Sequence, residues 1–121
     1  MKKLRSILAS VAAVVASLAL VPAVTARTLD LPCMSTAIQS QAVGYLQAWD
    51  TFTAQVHTAK VSRKEAMKSA WVLLDRTQRD NFIRQIENTF RSSLRSANDQ
   101  LRQSERFVET QFQTMQRACF R

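Results

Sequence analysis

Trp71-Val72-Leu73-Leu74-Asp75-Arg76-Thr77-Gln78-Arg79-Asp80 is the stretch that decides the fold. An apolar run stops there at Asp75 and Thr77, two side chains suited to capping a helix N-terminus. Gln78 and Asp80 each stand three residues after one of them. On both sides the composition favours helix, since no proline follows Pro32 and Gly44 is the only glycine. The break lies midway between the only two cysteines, Cys33 and Cys119, which are 119 − 33 = 86 residues apart. An even number of helical traverses brings the two sulfurs together, and an odd number separates them. The expected fold is therefore all-α, a long antiparallel helical hairpin with a terminal disulfide. A four-helix up-down bundle with further reversals near residues 61 and 97 is the alternative.

Periodicity supplies the packing surfaces. Ile38, Ala42, Tyr45, Trp49, Phe52, Val56 and Ala59 follow one another at steps of four and three, a heptad stripe expected to begin after a cap at Ser35 or Thr36. Ser62-Arg63-Lys64-Glu65 has the spacing of a capping box, which would open a new helix carrying Ala66, Met67, Ala70, Trp71 and Leu74 or lie within a longer one. Beyond the break, Ile83, Phe90, Ala97 and Ser104 recur every seven residues beside Leu94, Leu101, Val108 and Met115. Ser96-Ala97-Asn98-Asp99 could interrupt that seam, but its phase continues unchanged, which favours the hairpin. Narrow seams of this kind also suit a homodimer, two hairpins making four helices.

Lys2, Lys3 and Arg5 precede an Ala, Val and Leu run over residues 7–21, and Val24-Thr25-Ala26 offers the small residues of a cleavage site. Residues 1–26 thus read as an export signal, 27–34 as a short segment and 35–121 as the helical domain. The destination is the periplasm or the exterior, where an even cysteine count in a short chain favours a disulfide. Of 17 Lys and Arg residues against nine acids, the signal removes three bases, which leaves 14 − 9 = +5 from Arg27 onward.

Catalytic chemistry finds little support. His57, the only histidine, flanks the first stripe with no metal-spaced partner or nucleophile on its helix face. The acids are dispersed, and one glycine cannot make a phosphate loop. The expectation is no enzyme, no metal and no cofactor. The arginines are more patterned. Arg84, Arg91, Arg95, Arg102 and Arg106 step by seven, four, seven and four along one line, a candidate anion-binding face suited to phosphate or carboxylate. Against this, Asp80 with Arg84, Glu87 with Arg91, Asp99 with Arg102 and Arg106 with Glu109 are spaced to pair and neutralise the line. Lys60, Arg63, Lys64 and Lys68 form a second basic cluster. Trp49, Phe52, Trp71, Phe90, Leu94 and Leu101 form the candidate apolar binding seam.

Leu74-Asp75-Arg76-Thr77-Gln78 resembles the LTxxQ motif of the small periplasmic Spy-like chaperones, with leucine and glutamine matched and Asp75 in place of the motif threonine. That resemblance covers five residues and implies a basic, exported, all-helical protein that holds clients. Arg63 to Trp71 is similar to an Ala-Trp-bearing stretch of small secreted bacterial proteins, which implies no activity. The functional expectation is an exported, non-enzymatic binding protein, adaptor or chaperone-like, that meets a protein partner or client through an apolar seam flanked by arginines. The alternative is a binder of anionic envelope surfaces, lipid or cell-wall polymer. Nucleic acid is disfavoured, because basic and aromatic residues do not alternate as in stacking platforms.

Overall fold

A computed structural model describes residues 28–120, so the expected export signal lies outside the described residues. Two helices account for nearly all of them: α1, Leu31–Trp71, and α2, Arg76–Ala118, joined by a four-residue turn. They pack against each other as a single antiparallel hairpin. At 41 and 43 residues the arms are each roughly 60 Å long.

Local chemistry fixes the ends. Asp30, rather than Ser35 or Thr36, caps α1, its carboxylate accepting from the Cys33 amide at 3.1 Å, and Pro32 sits in the first turn where its missing N–H costs nothing. Asp75 caps α2, accepting from the Thr77 amide at 3.2 Å. Ser62 to Glu65 lie inside continuous α1 and Ser96 to Asp99 inside continuous α2, so the four-helix alternative is excluded. A capping-box spacing marks a helix start only where the chain also leaves the helix, and no Gly or Pro makes it leave near Ser62. Leu74, expected on a helix, instead stands in the turn, fully exposed.

The two ends of the hairpin are bound together by the Cys33–Cys119 disulfide, with Cα atoms 5.5 Å apart. Beside it the Asp30 amide donates to the Cys119 carbonyl at 2.9 Å, and Leu29 bridges Phe120. A bond of this kind persists in oxidising compartments.

On the α1 side the interface is made of small residues. Buried positions on α1 are Ala37, Ala48 and Ala70; on α2 they are Ile86, Ala97, Leu101 and Cys119. Ala37, Ala48 and Ala70 are separated by 11 and 22 residues, with half-buried Ala59 filling the gap; Ile86, Ala97 and Cys119 repeat the same intervals, with half-buried Val108 between. Eleven residues make three turns at 3.67 residues per turn, close to a straight helix, whereas a heptad winds left-handed. The covered line of α1 is therefore not the aromatic heptad stripe. Measured from the alanine line, Ile38 and Trp49 stand about 100° round the helix and are exposed, Tyr45 and Val56 about 65° and Phe52 about 30° and are half-buried, and Ala59 is common to both rows. Close approach selects side-chain size over hydrophobicity. A Cβ added at Gly44 would lie 2.8 Å from one Val108 methyl and 3.1 Å from the other.

Candidate functional site

Across the antiparallel register, Gln41 and Tyr45 of α1 both donate to Glu109 of α2, at 3.2 and 3.1 Å. Further along, the Arg63 Nε donates to Glu87 at 3.0 Å while its guanidinium lies 5.1 Å from the centre of the Phe90 ring. The hydrogen bond to Glu109, followed by loss of water and the nearby Glu109 and Glu105 charges, pushes the Tyr45 hydroxyl above its usual pKa, because the phenolate would face carboxylates. Trp49 stands edge-on to Phe52 with ring centres 5.6 Å apart. A shallow furrow between the arms is lined by small hydroxyl residues, among them Thr51, Thr58, Ser62, Thr89 and Ser93, with Phe82, Arg63 and Phe90 also on its walls, and is continued by Gln103 and Ser104. Gln55 crosses to Gln100 there, and its own carbonyl oxygen is buried without a partner.

The six residues of the expected apolar seam do not converge. Leu101 is buried in the interface, and Phe52, Phe90 and Leu94 are half-buried. Trp49 and Trp71 are exposed, Trp49 in the middle of α1 and Trp71 at the turn. Uncovered apolar surface instead spreads around α1, at Leu31, Ile38, Val43, Leu46 and Trp49. The cause is composition. Residues 31–59 carry one formal charge, Asp50, so α1 is only weakly amphipathic, whereas α2 is strongly so. A helix apolar on most sides ordinarily has cover on most sides.

Arg84, Arg91, Arg95, Arg102 and Arg106 are all exposed along the back of α2, away from α1. None of the four neutralising pairs expected from spacing is formed. Among the described residues the ion pairs are Arg63 with Glu87, Lys68 with Glu65 and Arg76 with Asp80. Glu87 is drawn across the interface to Arg63, Asp80 towards Arg76, and Glu109 to Tyr45 and Gln41. The five arginines thus have no carboxylate partner among the described residues.

Charge is also divided lengthwise. The half nearer the turn, residues 56–95, holds nine Lys and Arg against four acids, or +5; the disulfide half, residues 27–55 and 96–121, holds five against five and is neutral. Sequence reading missed this division because it appears only when the two arms are laid side by side.

At the turn itself Trp71, Val72 and Leu74 are 66%, 75% and 100% exposed, with Leu73 alone turned partly inward. The Arg79 guanidinium lies 5.5 Å from the centre of the Trp71 ring. The motif-like residues Asp75 to Gln78 form the cap and first turn of α2 beside this tip.

His57 is exposed on α1 and lines neither stretch of the furrow. Among the described residues no three His, Cys, Asp or Glu side chains gather as a metal site would require. No helix among them is long and apolar enough to cross a membrane. Comparison with protein-family models, with curated proteins and with solved structures finds no match to this chain.

Proposed function

We propose that the hairpin is a non-enzymatic binding protein of the periplasm or exterior that holds a protein partner or client, as an adaptor or chaperone, against the uncovered side of α1. One observation carries this reading: 29 consecutive residues with a single charge lie in a helix that α2, its only neighbour among the described residues, covers along an alanine line, so Ile38, Leu46 and Trp49 remain available. A small, rigid, disulfide-closed strut presents such a surface without needing a deep pocket. The test is suppression of aggregation of thermally unfolding citrate synthase by the oxidised protein. Leu46→Glu and Trp49→Glu should abolish protection while helix content and the disulfide persist. A wild-type protein that neither protects this client nor retains any partner in a cross-linking pull-down refutes the reading.

A second reading rests on the unpaired arginines of α2. Five cations spaced over 22 residues, about 33 Å, form a ridge able to track an anionic polymer. Retention of long-chain polyphosphate that weakens with salt and is lost in Arg91→Gln/Arg95→Gln/Arg102→Gln supports it. Binding indifferent to both changes removes it.

A further inference from the structure

We propose that the turn end of the hairpin is a wedge that inserts into the headgroup layer of an anionic phospholipid bilayer. Trp71-Val72-Leu73-Leu74 is a run of four apolar residues at an exposed turn, with Leu74 wholly in solvent. Exposed apolar runs of this length are selected against unless they have a use. The run is convex and terminal. A second copy lying along the hairpin would cover its flanks and leave its end free, and a client held on α1 would do the same.

Charge complementarity identifies the occupant. The tip belongs to the +5 half, where Lys64, Lys68, Arg76 and Arg79 near the turn outnumber Glu65, Asp75 and Asp80, whereas the far half is neutral. An acidic bilayer therefore attracts this end in preference to the other, which orients the rod end-on. The ion pairs of Lys68 with Glu65 and Arg76 with Asp80 are exposed and weak, and they leave that asymmetry intact. Trp71 beneath Arg79 is the pairing an interface favours, an indole at headgroup depth and a long cation reaching for phosphate. Within the turn Leu73 donates to the Ala70 carbonyl at 3.2 Å, and the first turn of α2 is tied to Asp75 by the Thr77 amide at 3.2 Å and the Arg79 amide at 3.0 Å.

This wedge is separate from the α1 surface of the client reading, and it differs from ridge adsorption because it buries Trp71. The experiment uses the exported, oxidised protein carrying Trp49→Phe, which leaves Trp71 as the only indole. Vesicles contain phosphatidylglycerol mixed with phosphatidylcholine, or phosphatidylcholine alone. Expected are a blue shift of Trp71 emission and quenching by brominated acyl chains with the anionic vesicles only. Val72→Ser and Leu74→Ser should each weaken partitioning by about tenfold, with helix content and sedimentation in solution unchanged. Leu46→Glu should leave partitioning as it was. Four results overturn the proposal: no vesicle binding, binding that leaves Trp71 in water, equal binding to zwitterionic vesicles, or a tip substitution that changes the protein's own association state.

Discussion

Gly44→Ala tests the close approach of the two arms. In an isolated helix this change stabilises by about 1 kcal/mol, since alanine loses less backbone freedom than glycine. Here the new Cβ falls 2.8 Å from one Val108 methyl and 3.1 Å from the other, inside the distance such atoms tolerate. Val108 cannot rotate clear at little cost, because a β-branched side chain in a helix has one strongly preferred rotamer. Overpacking of this kind costs about 1 to 3 kcal/mol, so the net effect is neutral to about 2 kcal/mol destabilising. Removing the two methyls reverses the sign. In Val108→Ala the remaining Cβ of residue 108 stands at 3.6 Å, an ordinary contact, and Gly44→Ala should then stabilise by about 1 kcal/mol. Urea unfolding of the four oxidised proteins, followed by far-UV circular dichroism, gives the coupling directly, expected at about 1 to 3 kcal/mol. A Gly44→Ala protein stabilised equally in both backgrounds would refute the arrangement, since the helices would then not meet at that level.

The remaining predictions concern polar and covalent ties. Removing the bridge by Cys33→Ser/Cys119→Ser should lower stability by about 4 to 5 kcal/mol, given a loop of 86 residues, and indistinguishable urea midpoints with and without the bridge would contradict this. Arg63→Ala should cost about 1 kcal/mol, combining a partly exposed ion pair with the contact over Phe90, and Glu87→Gln should cost less because it leaves the ring contact in place. Tyr45 should ionise above the ordinary tyrosine range when followed by phenolate absorbance, and Glu109→Gln should bring it down. The folded form holds that proton more tightly than the unfolded chain. The associated stability is thus complete below the unfolded tyrosine pKa of about 10 and is lost as pH rises through the higher folded value. An unchanged titration in Glu109→Gln would remove Glu109 as the cause.

The two arms, their reversal and the bridge were legible in the sequence because each rests on a strong signal: capping side chains at Asp75 and Thr77, the absence of other breakers, and two cysteines equidistant from the turn. The covered face of α1 was not legible from hydrophobicity. A scale that ranks Trp49 and Phe52 above Ala48 points to the aromatic stripe, while a close two-helix contact chooses by volume. The eleven-residue recurrence of Ala37, Ala48, Ala59 and Ala70, together with the lone glycine at residue 44, was the signal that could have found it. The arginine line was visible from spacing, but not the fate of its carboxylates, because Glu87 and Glu109 find their partners only when α1 is brought alongside. The tip was not legible for a related reason: spacing places Trp71 and Leu74 on one helix with Ala66, Met67 and Ala70, and only the end of α1 at Trp71 leaves Leu74 in the turn and exposed.

The recurrence of buried positions every 11 residues has a consequence for how such a rod can change in length. Inserting 11 residues into each arm at the same level extends the strut by about 16 Å and returns every downstream side chain to its original bearing. At the roughly 98° per residue that this repeat sets, inserting seven rotates everything beyond the insertion by about 33°, which moves the alanine line off its partner. The spacing between the sulfur-closed base and the apolar tip is therefore adjustable in discrete increments, as the rungs of a ladder are, and a lineage could lengthen its reach without redesigning either end.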